Sequence, residues 1–252
     1  VEPFQVAAAG GHADLLPPIA EAIPPGLKVV VVATPPEIQA AYGVSGELPR
    51  GLPVWSDLLD AAAPWSAEPE VAPSTIIYTS GTTGRPKGVW RDTFTPEQAA
   101  ATTRMLGWSY GYTDYLEGRR DPAEIVTAVI GPVYHAAPNA HSGFSIRAGA
   151  NVIIVPRFDA EGLLQLIEAR RITHLNMVPI MFNRLLRLPD AVRAKYDLSS
   201  LRYVTHAAAP CPPPVKRAMI DWWGPVLKEY YGSTEMGNVT NLTAEEWLAH
   251  PG

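Results

Sequence analysis

The chain has 252 residues, 47% of them apolar and 18% charged, with a mean hydropathy of +0.00. That length supports one large hydrophobic core or two modest ones, and the composition excludes a disordered or fibrous protein. The net charge of −5, with no basic cluster beyond pairs such as Arg119–Arg120, argues against a nucleic-acid partner, whose phosphates call for a basic excess.

Runs rich in β-branched and aromatic residues predict strands at 4–8, 27–33, 75–79, 88–91, 124–129, 151–155, 174–177, 203–206 and 226–231. Helical patterns lie between many of them. At 159–170, Leu163, Leu166 and Ile167 share a face, Asp159 is placed to cap the start, and Arg170–Arg171 close the end. The stretches 179–188 and 213–223 read similarly, each with proline near its start. Strands alternating with helices predict an α/β fold of mostly parallel sheets covered on both faces, in which ligands meet the loops at the strand ends. Segments 43–53 and 61–73 read as surface connections, too short and too apolar to mark a domain boundary. Residues 1–252 therefore read as one structural unit with room for two subdomains.

Val29–Ala33 typifies the apolar runs, which are strand-sized and too short to cross a bilayer. No charged-then-apolar leader opens the chain. A single cysteine, Cys211, rules out an intrachain disulfide, and no Cys/His cluster has zinc spacing, so a reducing compartment, the cytoplasm by default, fits best. The first residue is Val1, and the last, Gly252, follows an unfinished run, so the chain reads as a piece of a longer protein. Oligomeric state is not legible.

One segment dominates the reading: Tyr78-Thr79-Ser80-Gly81-Thr82-Thr83-Gly84-Arg85-Pro86-Lys87-Gly88-Val89. It follows an apolar strand. Gly81 and Gly84 let the backbone bend and bring N–H groups close to an anion, Ser80, Thr82 and Thr83 add hydroxyl donors, and Lys87 adds a full positive charge. Such a turn suits a polyphosphate. It is not the lysine loop that opens a helix, because Pro86 and Gly88 flank the lysine and a second strand follows; the loop should join two strands. A solvated hairpin turn is the competing reading.

This segment closely resembles the signature loop of the adenylate-forming superfamily, which includes acyl- and aryl-CoA synthetases, beetle luciferases and the adenylation domains of peptide synthetases. The resemblance implies that Thr79, Ser80, Gly81, Thr82, Thr83, Gly84 and Lys87 hold the ATP phosphates. Downstream, Glu229-Tyr230-Tyr231-Gly232-Ser233-Thr234-Glu235 resembles the superfamily's Tyr-Gly-x-Thr-Glu motif. Tyr231 then offers an aromatic face to adenine, Gly232 a tight turn, Thr234 a donor to the α-phosphate, and Glu235 a ligand for the Mg2+ that accompanies ATP. Alone, this stretch would read as an ordinary turn.

Between the two lies Gly131-Pro132-Val133-Tyr134-His135-Ala136-Ala137-Pro138, similar to the aromatic-His segment bordering the acyl pocket of CoA ligases. By that likeness His135 stands near the substrate carboxylate and the α-phosphate, where a donor relieves repulsion between anions. Tyr134, His135, Val178 and Ala207 are the implied acyl-pocket residues. Phe144, Met181 and Phe182 suit either an apolar acyl group or plain core packing. His141, His174 and His206 read as satisfied structural histidines, and Cys211 as a bystander. Ala207-Ala208-Ala209-Pro210 stand where relatives usually show Gly-Gly-Ala-Pro against adenine, and the two extra methyl groups should narrow that wall.

The implied reaction joins ATP to a carboxylic acid. The acid is ionised at pH 7 and needs no general base, only in-line positioning and stabilisation of departing pyrophosphate. Transfer of the acyl group to coenzyme A then follows in the full-length protein, and the small C-terminal domain that serves it in the superfamily lies outside this sequence. Two other readings stay open at this point: an amino-acid-activating domain, and a noncatalytic nucleotide-binding fragment.

Overall fold

The computed structural model describes residues 8–64, 66, 76–79, 84–90 and 92–250. The chain divides into two compact units, 1–71 and 72–252, the division falling inside the stretch 61–73. The first unit pairs strand β1 (Ala8–His12) in parallel with β2 (Lys28–Val32). It carries the short helix α1 (Leu16–Ile19) and the helices α2 (Pro36–Tyr42) and α3 (Trp55–Ala61). The first strand thus starts where the sequence reading ended it, and residues 4–7 of that reading lie outside the described residues. Val31, wholly buried, bonds through its N–H to the Pro53 carbonyl at 2.9 Å, and the Thr34 hydroxyl donates to Asp14 at 2.6 Å. The first of these bonds closes the end of the 43–53 connection back onto β2, and the second ties the chain after β2 to the residues after β1.

The second unit opens with an antiparallel hairpin of β3 (Ile77–Thr79) and β4 (Lys87–Val89). Helices α4 (Pro96–Tyr110) and α5 (Thr113–Leu116) come next. A βα series then runs through β5 (Val126–Val129), α6 (Ala136–Arg147), β6 (Asn151–Ile154), α7 (Ala160–Arg170), β7 (His174–Met177), α8 (Pro179–Leu186), α9 (Asp190–Arg193), β8 (Tyr203–His206), α10 (Pro213–Trp223) and β9 (Leu227–Ser233). An antiparallel return, β10 (Gly237–Thr243), and α11 (Ala244–Ala249) finish it. The strand order is β10-β9-β8-β7-β5-β6, with every pair from β6 to β9 parallel.

Side chains alternate across this sheet as a two-residue period demands. Leu175 and Met177 of β7, Val204 of β8 and Leu227 of β9 point into a core shared with α7, α8 and α10, where Leu164, Ile167, Phe182, Leu185 and Met219 have no exposed surface. Burying each such side chain is worth about 1.5–3 kcal/mol. The opposite face packs a mostly aromatic cluster of Tyr110 from α4, Tyr112 and Tyr115 before and within α5, Phe144 from α6, and Ile125 just before β5. Both faces of the parallel sheet are therefore covered.

Local signals fix the helix ends. Asp159 accepts from the Gly162 N–H at 2.7 Å, the cap its position predicted, worth about 1 kcal/mol. Thr95 and Gln98 form a reciprocal capping box ahead of α4 with Pro96 at its first position. The C-terminal end of α4 is fastened to the sheet by polar contacts. Thr205 and Tyr203 donate to the carbonyls of Ser109 and Trp108 at 2.8 and 2.7 Å, and the Asn238 amide donates to the Ser109 hydroxyl at 2.6 Å.

Candidate adenylation site

Chain connectivity selects one edge of the sheet. From β5 the chain crosses to β6 on one side, and then returns to place β7 on the other side of β5. The order reverses between β5 and β7, and in open α/β sheets ligands bind at the carboxyl ends of the strands beside such a reversal. The loop after β5 carries Tyr134 and His135, the residue after β7 is Val178, the loop after β8 is Ala207–Ala208–Ala209–Pro210, and β9 ends at Tyr230–Ser233. Met177, His206 and Glu229 are register partners along β7, β8 and β9, so Val178, Ala207 and Tyr230 follow at a common level. The topology thus collects the downstream candidates along one edge.

The same edge receives the N-terminal ends of α6, α8 and α10, whose positive dipole ends favour anions. His135 occupies the position just before α6 with an extended backbone (φ −85°, ψ 146°) and makes no capping bond, leaving its imidazole exposed beside the Tyr134 ring at a centroid distance of 4.7 Å. Tyr134 itself is 74% exposed. Both rings can meet a ligand without rearrangement of the core.

The β9–β10 turn places Thr234, Glu235 and Met236 between paired strands. Gly232 differs from its expected use. It lies within β9, and a Cβ there would come 2.0 Å from the Gly237 carbonyl oxygen, so the residue permits close approach of two strands while the reversal itself falls on 234–236. Tyr231 is 65% exposed and offers a ring face at the edge. Tyr230 turns to the opposite side, where burial raises its pKa.

Ala208 adopts φ +73°, a left-handed conformation that glycine reaches without cost and alanine does not. Together with Arg171 it is a non-glycine residue of positive φ among the described residues. The methyl group expected to narrow the loop therefore sits on strained backbone.

Of the phosphate-loop candidates, Ser80, Gly81, Thr82 and Thr83 lie outside the described residues. Thr79 and Lys87 face each other across the β3–β4 pair, with the Thr79 hydroxyl 3.4 Å from the Lys87 carbonyl oxygen, and Gly84 turns with φ +79°. The segment does join two strands. Among the described residues no hydrogen bond or ion pair draws Lys87 against the strand ends.

His141, His174 and His206 are buried and held neutral by desolvation. His141, pushed down to about 4, lies 3.5 Å from the Thr127 hydroxyl. His174, pushed down to about 3, meets the Thr173 hydroxyl at 2.7 Å. His206 departs from the expected satisfied state. It is fully buried, pushed down to about 3 by burial and then by the nearby Lys216 charge, and neither ring nitrogen has a partner among the described residues. Burial pushes the half-buried Cys211 thiol up to about 11, which leaves it unreactive at neutral pH.

Phe144 and Phe182 lie in separate cores on opposite faces of the sheet, so they do not line one pocket. Two surface cavities, of about 280 and 380 Å³, are lined by none of Tyr134, His135, Val178, Ala207–Pro210 or Tyr230–Glu235. One sits between β6 and the start of α7, the other between α4 and α6. Among the described residues no cluster of three or more His, Cys, Asp or Glu could hold a metal ion. Glu235, an exposed carboxylate in the turn, fits a different arrangement, in which Mg2+ takes one protein oxygen and completes its shell with phosphates and water. No helix among the described residues is long and apolar enough to cross a membrane.

Sequence reading missed Lys216. It is wholly buried on α10 and donates to Glu229 at 2.6 Å. The signal was present: Lys216, Met219, Ile220 and Trp223 fall at i, i+3, i+4 and i+7, which puts a lysine on the apolar stripe of a helix.

Comparison with known proteins gives a family, relatives and a shared fold. A medium/long-chain-fatty-acid–CoA ligase of Mycobacterium tuberculosis is 32% identical over 198 residues, 75% of this chain and 32% of the relative. An indoleacetate–CoA ligase of Aromatoleum aromaticum is 33% identical over 172 residues, 67% of this chain and 31% of the relative. The chain thus spans about a third of the length of these relatives. The solved amide bond synthetase McbA of Marinactinospora thermotolerans superposes on 95% of this chain and 42% of its own, with a TM-score of 0.68 at 23% identity, which shows the shared fold. The family described as AMP-binding enzyme matches residues 19–251, and the chain belongs to that family.

Proposed function

We propose that this chain is the nucleotide- and acid-binding part of an AMP-forming acid–thiol ligase. The observation that carries the reading is the convergence of Tyr134–His135, Ala207–Pro210 and Tyr231–Glu235 on one sheet edge beside the reversal of strand order. Membership of the AMP-binding family and the printed activities of the relatives support it.

In the proposed reaction a carboxylate oxygen attacks the α-phosphorus of ATP, and the bond from that phosphorus to the bridging oxygen breaks, releasing pyrophosphate. The acid is already ionised, so no base is required. This chain's contribution is placement and charge. Tyr231 and the Ala207–Pro210 loop hold the base, Thr79–Gly84 and Lys87 hold the β- and γ-phosphates, and His135 and Thr234 donate where the carboxylate meets the α-phosphate. Glu235 would hold Mg2+, which when bound neutralises phosphate charge. In the full-length protein the thiol of coenzyme A then attacks the acyl carbonyl and AMP leaves.

Fatty acids and aryl acids are the substrate classes to test first, since the relatives act on both kinds. The cytoplasm is the proposed compartment. Pyrophosphate exchange into ATP by the full-length protein, run with a panel of fatty, aryl and amino acids, tests the proposal. Exchange driven by a fatty or aryl acid supports it; exchange driven by amino acids alone, or by no acid, overturns it.

A further inference from the structure

The cavity of about 380 Å³ between α4 and α6 is in the size range of small-molecule pockets, and the proposed adenylation makes no use of it. Its floor is apolar: Leu106 from α4, Leu116 from the end of α5 and Phe144 from α6. That floor is backed by the core. Phe144 is buried and stacks on Tyr112 at a centroid distance of 6.0 Å, and Leu116 seats against Gly107, where a Cβ would come 2.5 Å from the leucine Cδ1. The hollow is therefore built into the packing of the three helices, and Leu116 still exposes 40% of its surface there.

Polar groups complete the lining, Thr102 and Thr103 from α4 and Arg147 from α6. A basic residue in the last turn of a helix is ordinary, since it complements the dipole. Arg147, however, has Gly143 one turn before it, and its Nη1 lies 3.3 Å from where a Gly143 Cβ would stand, so the guanidinium folds back along α6. Among the described residues neither that guanidinium nor either threonine hydroxyl has a hydrogen-bond or ion-pair partner, and no acid lines the cavity. An apolar floor with one unpaired cation and two hydroxyls complements an apolar molecule that ends in a single negative charge, and a guanidinium takes a carboxylate through two parallel hydrogen bonds. We propose that this cavity is a binding site for an apolar carboxylic acid, separate from the candidate adenylation site. His135 stands at the start of α6 and Arg147 at its end, twelve residues or about 18 Å apart. The inference stands on the cavity and its lining, independently of the proposed reaction.

The test is calorimetric binding of octanoate and of octan-1-ol, similar in chain and different in charge, to the full-length protein and to Arg147→Met, Ala99→Phe and His135→Ala. Octanoate should bind about tenfold or more tighter than octan-1-ol, the worth of one charge-assisted hydrogen bond. Arg147→Met keeps an apolar stem and loses the charge, so it should cut that preference to within about threefold and leave octan-1-ol binding as it was. Ala99→Phe, at an exposed position in the cavity lining, should fill the space and abolish binding of both. His135→Ala should leave the Arg147-dependent binding intact. Should Ala99→Phe fail to fold by circular dichroism, Arg147→Met carries the test. Octanoate binding that is indifferent to Arg147→Met, or lost in His135→Ala, puts the acid elsewhere and overturns the inference. Equal weakening of both ligands in Arg147→Met, or no octanoate binding by the unaltered protein, overturns it as well, while pyrophosphate exchange decides the proposed function separately.

Discussion

Replacing Ala208 with glycine should stabilise the second unit, although the change removes a methyl group and frees the unfolded chain. In the structure Ala208 has φ +73° and an exposed side chain, so the methyl contributes little burial. Holding an L-residue in the left-handed region costs about 1–2 kcal/mol. Glycine forfeits about 0.5–1 kcal/mol through its larger unfolded-state entropy. The difference is a gain of up to about 1.5 kcal/mol, centred on about 0.75, or a rise in Tm of about 1–3 °C at the centre for a unit of this size. Arg171 supplies the control: its φ is 51°, but its guanidinium bonds Asp197 at 2.6 Å and Ser199 at 3.3 Å. Arg171→Gly gains the same relief and loses those contacts, so it should fall near zero. Urea unfolding of both variants beside the unaltered protein measures the comparison. A loss of stability in Ala208→Gly would show that the loop is not strained as the backbone angles imply.

Acid should destabilise the fold steeply. His141, His174 and His206 have folded pKa values of about 4, 3 and 3 against an ordinary 6.5; below 6.5 the unfolded chain binds protons that the folded chain refuses, so the stability they contribute is whole above pH 6.5 and is lost as pH falls towards 4. Each contributes a slope of about 1.4 kcal/mol per pH unit, about 4 together, and urea midpoints from pH 7 to 4.5 that stay flat would contradict the burial assigned to them. Phe182→Ala, at a site with no exposed surface facing Trp223 and His206, should cost about 3–5 kcal/mol by the same urea assay. Gly232→Ala should disrupt the β9–β10 hairpin because of the Gly237 carbonyl contact; an unchanged Tm would show that the strands can part there at no cost. Tyr231→Ala should weaken nucleotide binding by about tenfold through loss of the stacking face while leaving Tm within error, since the ring is exposed.

Much of the parallel core was legible because its strands are short β-branched runs with a two-residue period. The strands at 174–177 and 203–206 and the helix at 213–223 match their expected bounds. Less legible was α6, whose sequence Ala-Ala-Pro-Asn-Ala-His-Ser-Gly-Phe-Ser-Ile-Arg shows no apolar stripe because it packs with small and aromatic residues. The α4 capping box, Thr95 to Gln98 with Pro96, was present in the sequence but outweighed by an alanine- and threonine-rich helix with little apolar patterning. β10 is asparagine- and threonine-rich and half exposed, so its pairing with β9 is set by the Thr234–Met236 turn more than by hydrophobicity. At the site, order along the chain foretold the residues, whereas their common level followed only from the register of β7, β8 and β9. The Lys216–Glu229 pair is a tertiary fact, since nothing local links residues thirteen apart on a helix and a strand.

The central claim is that this chain binds the triphosphate of ATP through the segment after Tyr78. Calorimetry of Mg-ATP against the folded chain measures it directly, with Lys87→Ala and Thr83→Ala alongside. Saturable heat that weakens about tenfold or more in Lys87→Ala, with an unchanged Tm, is the predicted result. No heat of association, or heat indifferent to both substitutions, would contradict the account.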